Sequence, residues 1–356
     1  MTSIESFFAQ GPFAIPEDEK SAMLSRELAE LTQWHRENCE PYSRWIEVSA
    51  FPNPESAGLA AVPYLPVRVF KHLRLASVPD SEIIRELKSS GTTGTPSQIA
   101  LDKPTADLQA RALAHIMKDV LGPNRLPMLV IDTQSVLRDR KAFSARGAGI
   151  LGMSNFGRRQ TYVLNDDMEL DRNALRAFLE RHGNEPFLIF GFTFMVWQYF
   201  LQNLVPGEFD LSNAVLVHSG GWKKLADVAV DNETFRTEFE TRTGLTRVHN
   251  FYGMVEQVGS VFIEGSDGWL HTPSFADVVI RDPNTWAALP AGERGVIEVL
   301  SALPRSYPGH AILTEDEGMW APADADSEWR GNRLRVFGRV PRAELRGCSD
   351  THASAA

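Results

Sequence analysis

The chain has 356 residues, 43% of them hydrophobic and 23% charged, which is the balance of a globular protein with one large or two medium domains. Thirty-six basic against 46 acidic residues leave a net charge of −10, which excludes any general affinity for nucleic acid or an anionic membrane. No run of about eighteen apolar residues marks a membrane span. "MTSIESFFAQ" is too short and mixed for a secretion signal. Two cysteines, Cys39 and Cys348, argue for the cytoplasm and against a disulfide framework, and neither has a CxxC metal-ligand spacing.

Near the N-terminus, "EDEKSAMLSRELAELTQWH" sets Leu24, Leu28, Leu31 and His35 at helical spacing behind an acidic start, predicting an amphipathic helix. "VPYLPVRVFK" (62–71) carries two prolines among apolar residues and reads as an extended strut. "ADLQARALAHIMKDVL" is helical with a wide apolar face. Next, "MLVID" (128–132), "FLIF" (187–190) and "AVLVH" (214–218) read as buried strands, alternating with the helices "NALRAFLERHG" and "NETFRTEFETRTG", each closed by a glycine. Unalternating strands separated by helices predict an α/β fold with a mostly parallel, two-side-covered sheet. Beyond residue 270, "ADVVI", "RGVIEVL" and "RLRVFG" are short strands divided by Pro/Gly turns, which predicts a small antiparallel β subdomain. The expected organisation is a larger α/β core over 1–270, the β subdomain over 271–337, and a tail over 338–356.

The stretch "LKSSGTTGTPSQIALDK" (87–103) holds seven consecutive Ser, Thr or Gly residues, Ser89 to Thr95, a run that has no apolar side chain to bury. It is either a solvated loop or a loop that grips an anion. Its glycines let backbone N–H groups converge on phosphate, and Ser90, Thr92 and Thr93 add hydroxyl donors, although the GxxxxGK[ST] spacing is missing.

Three later stretches stand with it. "HNFYGMVEQVG" (249–259) places Glu256 four residues after Tyr252, "AILTEDEG" (311–318) reads as a polar turn holding Asp316, and "VFGRVPRAELRGC" (336–348) puts Arg339 after Gly338. In order and spacing the four resemble the signatures of the adenylate-forming superfamily, which includes acyl-CoA synthetases, adenylation domains and firefly-type luciferases. "HRENCEPY", "VPYLPVRVFK", "HSGGWKK", "SYPGHAILTEDEG" and "RGCSD" extend the likeness over nearly the whole chain to the acyl-protein synthetases of bacterial bioluminescence, the LuxE family.

That resemblance implies an AMP-forming ligase. A carboxylic acid is activated by ATP as an acyl-adenylate and passed to a thiol, here Cys348, then to a partner acyl-reductase. Direct loading of coenzyme A or a carrier protein, or a degenerate nucleotide-binding scaffold, stay open. The resemblance implies that Ser90, Gly91, Thr92, Thr93 and Gly94 hold the phosphates and that Tyr252 and Gly253 meet adenine. It gives Glu256 a share in Mg²⁺, Asp316 the ribose hydroxyls, and Arg339 the ribose or phosphate. A flat ring suits a purine, carboxylates suit a hard cation or a diol, and guanidinium suits phosphate charge.

The pattern also departs from the superfamily. Val255 replaces the usual threonine, Ser97 replaces the usual lysine with Lys103 a candidate substitute, and Pro341 stands near the usual hinge aspartate. Because the sequence ends soon after Arg339, the C-terminal lid domain and its lysine are expected to be absent or reduced to a stub. "FGFTFMVWQYF" (190–200) and "ARGAGILGMSNFG" (145–157) are either acyl cleft or aromatic core, with Phe190, Gly191, Gly220 and Gly221 as candidate acyl-binding residues. Cys348 follows Gly347 behind Arg342 and Arg346, cations that favour its thiolate.

Overall fold

The computed structural model describes residues 3–49, 58–88, 96–137, 145–222, 229–324, 327 and 329–340. In chain order the strands and longer helices begin with α1 (Glu17–Asn38), α2 (Glu40–Ser49), β1 (Leu65–Pro66), β2 (Ile83–Lys88) and β3 (Gln98–Asp102). Then come α3 (Lys103–Leu121), β4 (Leu126–Thr133), α4 (Ala145–Met153), β5 (Gly157–Leu164), α5 (Arg172–His182) and β6 (Phe187–Phe192). β7 (Ala214–Ser219), α6 (Asn232–Thr243), β8 (Arg247–Tyr252), β9 (Phe262–Glu264) and β10 (Leu270–His271) follow. β11 (Ala276–Arg281), β12 (Gly295–Ser301), β13 (Ala311–Pro322) and β14 (Asn332–Arg339) complete the order. These elements fall into two compact units, the first drawn from 1–119, 253–262 and 269–344, the second from 120–252 and 263–268.

In the first unit, β11, β12, β13, β14 and β10 lie side by side in that order as an antiparallel array, with β1 parallel to β13. Every residue of β11 and β12 is buried, so their charged side chains need partners inside. Arg281 Nε ion-pairs with Glu298, whose carboxyl burial pushes up to about 7 against the opposing pull of that guanidinium. Asp277 is met by Lys20 of α1 at 3.1 Å, and the same ammonium donates to Thr272 at 2.6 Å. Helix α1 starts with Glu17, Asp18 and Glu19, favourable at the positive end of its dipole, and buries Leu24, Leu28, Leu31 and His35 on one face. His35 stacks on His310, ring centroids 5.0 Å apart, and shares hydrogen bonds with Ser77 and the Pro304 carbonyl.

The extended strut expected at 62–71 pairs as a strand only at β1. Val69–His72 closes a helical turn, because the restriction imposed by Pro66 ends before it. Asp316 lies inside β13 rather than in a turn, because cations brought by the fold neutralise its acidic run.

The second unit is a parallel sheet in the order β5, β4, β6, β7, β8. β6 is buried throughout and β7 nearly so, matching their unalternating apolar sequences. Asp171 caps α5 by accepting from the N–H groups of Asn173 and Ala174, and Asp231 caps α6 by accepting from Thr234. Gly244 closes α6 at φ 74°, the left-handed stop expected of it. Gly183, expected to be the same device, is right-handed at φ −62°. Glycine is needed there for space, since a Cβ would stand 2.6 Å from the Leu179 carbonyl oxygen.

Candidate active site

Asp316 and Arg339 are register partners in the antiparallel pair β13–β14, and Arg339 Nε lies 3.3 Å from Asp316 Oδ1. Arg339 Nη1 also donates to Glu315 Oε2 at 3.0 Å, and the other oxygen of Glu315 takes the guanidinium of Arg68. The acidic "TEDE" run therefore stays in a strand because cations from elsewhere in the same unit neutralise it. Glu315 and Asp316 are mostly buried side chains, 12% and 15% exposed, which strengthens these pairs over surface ones. Local sequence shows neither Arg68 nor the cross-strand register, so sequence reasoning misses Glu315 as a member of this cluster.

Glu256 sits in a single 3₁₀ turn, Val255–Gln257, and is 2% exposed. The turn is held from both sides. Tyr307 donates its hydroxyl to the Glu256 carbonyl at 2.9 Å, while Gln257 donates to the carbonyls of Val299 and Gly309. Gly309 has to be glycine, because a Cβ there would lie 2.9 Å from the Glu256 carbonyl oxygen. Thus "SYPGH", within one of the stretches that carry the family likeness, clamps the turn that holds Glu256. Gly253 is exposed beside it. Tyr252, half-buried, ends β8 of the second unit.

Among the described residues no cluster of three or more His, Cys, Asp or Glu side chains could hold a metal by itself. Magnesium arriving with a nucleotide asks one or two protein carboxylates and takes its other oxygens from phosphate and water. Glu256 can supply one.

In the second unit, Phe190 is fully buried and Gly191 is required by packing, since a Cβ would come within 2.7 Å of Val196. Gly220 takes φ 89°, a glycine conformation, and both Gly220 and Gly221 are exposed. Trp197 and Phe200 are buried, Trp197 stacking on Phe235 at 5.7 Å, so this part of the aromatic stretch is core. Two buried polar groups go beyond the sequence expectations. His218 shares a 2.9 Å hydrogen bond with Thr193 and is pushed down to about 3 by burial, with His249 and Arg236 adding to the shift. Asp132, near the end of β4, lies 3.5 Å from Arg146 of α4, both almost fully buried. A single acid within "MLVIDT" is the signal that sequence offers for it.

Ser90, Gly91, Thr92, Thr93, Gly94 and Cys348 lie outside the described residues. Lys103, the candidate substitute for the missing lysine, is exposed and paired with Asp107 at 2.7 Å. Cys39 is 2% exposed, and burial pushes its thiol up, which suppresses the nucleophilic thiolate. No helix among the described residues is long and apolar enough to cross a membrane.

The fold is that of acyl-adenylate-forming ligases. An open conformation of 2-hydroxyisobutyryl-CoA ligase, in complex with 2-HIB-AMP and CoA, is similar with a TM-score of 0.65 and 19% identity, over 93% of this chain and 77% of that one. The same ligase in its postadenylation state with R3-HIB-AMP is similar with a TM-score of 0.66 and 16% identity, over 92% and 69%. The family described as "Acyl-protein synthetase, LuxE" matches residues 2–355, and the chain belongs to it. It is similar to the long-chain-fatty-acid–luciferin-component ligase of Aliivibrio fischeri, 23% identical over 306 residues that make up 81% of this chain and 77% of that protein. The ligase of the same description from Vibrio harveyi is 21% identical over 355 residues, 93% of this chain and 87% of that one. The chain is accordingly an AMP-forming acid–thiol ligase.

Proposed function

We propose that this protein activates a carboxylic acid with ATP in the cytoplasm, holds the acyl group on Cys348, and delivers it to a partner reductase. A carboxylate oxygen of the acid attacks the α-phosphorus and pyrophosphate leaves. The Cys348 thiolate then attacks the acyl carbon, AMP leaves, and a thioester remains. Asp316 accepts hydrogen bonds from the ribose hydroxyls, with Arg339 holding its carboxylate and bringing positive charge to the ribose or phosphate. Tyr252 and Gly253 meet adenine. The Ser90–Gly94 run supplies backbone N–H groups and hydroxyls to the phosphates. Magnesium, when bound at Glu256 with the nucleotide, neutralises phosphate charge.

The observation that carries this reading is the Asp316–Arg339 pair. Two residues singled out in separate motifs are register partners on adjacent strands. Cys39 supports the choice of Cys348, because its buried, raised thiol is the wrong chemistry for an acyl acceptor and the chain has no third cysteine. The test is carboxylate-dependent exchange of labelled pyrophosphate into ATP across a broad acid panel. Exchange with at least one acid is expected. No exchange with any acid, even with the partner reductase added, overturns the function. Thioester appearing on coenzyme A or a carrier protein instead would keep the ligase and replace the acceptor.

A further inference from the structure

In the first unit, one edge of β13 changes partner at Glu315. Before it β1 runs parallel, with Leu65 opposite Ile312 and Pro66 opposite Leu313. After it β14 runs antiparallel, with Arg339 opposite Asp316. Each neighbour brings an arginine to the same carboxylate. Arg68, two residues past the last β1 pair, opens the helical turn Val69–His72, and its Nε donates to Glu315 Oε1. Arg339 Nη1 donates to Glu315 Oε2 at 3.0 Å. The backbone fixes the same junction. Val67 donates its N–H to the Leu313 carbonyl and Val340 donates its N–H to the Glu315 carbonyl, both at 2.9 Å.

Arg339 thus has two acids within reach, and a single residue of register decides which one it faces. Pairing runs unbroken from Pro322 opposite Asn332 to Gly318 opposite Val336. It then shifts, so that Glu317 faces Gly338 and Phe337 is left over as a bulge. Carried on without that shift, the register would set Arg339 opposite Glu315 rather than Asp316. Glu315 is therefore a competitor for the guanidinium that Asp316 holds at 3.3 Å. Arg68 occupies one of its two oxygens, which denies it the bidentate pairing that arginine and carboxylate favour. Given the acid-activating function proposed above, on which this rests, we propose that Arg68 is a positioning residue of the nucleotide site. By engaging Glu315 it leaves Arg339 Nε to Asp316, whose carboxylate receives the ribose. Without Arg68, the mostly buried Glu315 draws in the whole Arg339 guanidinium, and Asp316 loses the group that orients it.

The test is ATP–pyrophosphate exchange at varied ATP, with an acid that wild type accepts, beside calorimetric titration of ATP without acid. Arg68→Met is expected to raise the KM and the Kd for ATP at least about threefold, with kcat changed less than about twofold. Arg68→Lys, which keeps a cation without the planar fork, should recover part of the loss. The discriminating arm repeats Arg68→Met in a Glu315→Gln background. With no charge at Glu315 to compete for Arg339, the second substitution should leave KM and Kd where Glu315→Gln alone puts them. A merely structural Arg68 would cost the same in both backgrounds. Circular dichroism verifies folding, and if Arg68→Met does not fold, Arg68→Lys in the two backgrounds decides. An unchanged KM and Kd in folded Arg68→Met overturns the proposal and leaves the ligase function standing. So does an equal loss with and without the Glu315 charge. Wild type that neither binds ATP nor exchanges pyrophosphate with any acid overturns both.

Discussion

Asp316 and Arg339 face each other across β13 and β14, and the Arg339 guanidinium is gripped by Glu315 as well as by Asp316. A cation tied to two carboxylates cannot swing freely, and it orients Asp316 as an acceptor. Asp316→Asn preserves the shape and removes the charge. It should raise the KM for ATP roughly ten- to a hundredfold, since hydrogen bonds to a charged group contribute about 1.5–3 kcal/mol. Exchange kinetics at varied ATP measure this, and an unchanged KM would remove Asp316 from the nucleotide site.

Glu256→Gln should keep the fold, because it keeps the side chain's shape and the turn is clamped through backbone carbonyls by Tyr307 and Gln257. The rate of adenylate formation should fall at least about a hundredfold, with loss of the carboxylate charge proposed to meet the metal. The magnesium concentration at half-maximal rate should also rise. Full activity at ordinary magnesium would show that the carboxylate serves the fold alone.

Cys348→Ser should leave pyrophosphate exchange intact and abolish hydroxylamine-sensitive labelling of the protein by radioactive acid, ATP and magnesium. Cys39→Ser should keep the label. Label that persists in Cys348→Ser, or that maps to Cys39, sinks the self-acylation step.

Lys20 and Asp277 form an ion pair with side chains 1% and 0% exposed. Lys20→Met leaves that carboxylate buried without its cation and should cost about 3–5 kcal/mol of stability. The double variant Lys20→Met/Asp277→Leu should recover much of the loss. Urea midpoints measure both, and a single variant as stable as wild type would contradict the pair's importance.

Stability should peak near pH 6.5. Burial lowers His35, pushes His218 and His310 down to about 3, and pushes His249 down to about 4, from an ordinary 6.5. Below pH 6.5 the unfolded chain gains protons that these folded histidines refuse, so stability falls on acidification. Glu298, pushed up to about 7, and Glu17, raised by burial and by Asp277, act in the opposite sense. They bind protons in the folded chain that the unfolded chain has already lost, so stability declines as pH rises through 7. Histidines outnumber these carboxylates on the acid side, and only the carboxylates act between 6.5 and 8. Denaturation midpoints rising steadily from pH 6 to 8.5 would contradict this balance.

The parallel strands are legible in sequence because "FLIF" and "AVLVH" are apolar without alternation, as burial on both faces requires. The helices are legible from their spacing and caps. Asp316 is not, because "TEDEG" is turn-like by local composition, and the cations that make it a strand come from residues 68 and 339. Likewise Gly149 and Phe192 are ordinary residues in sequence. A Cβ at Gly149 would lie 3.1 Å from the Phe192 Cζ, a closeness that exists only once α4 lies against β6, and no local pattern records it.

The buried state of Cys39 gives the protein a built-in chemical clock. In the Cys348→Ser variant it is the sole thiol of the chain, so a maleimide has one place to react. That thiol follows the last residue of α1, where its backbone N–H still bonds to the His35 carbonyl. Alkylation therefore waits for the end of the helix to part from its surroundings, and its rate counts how often that happens.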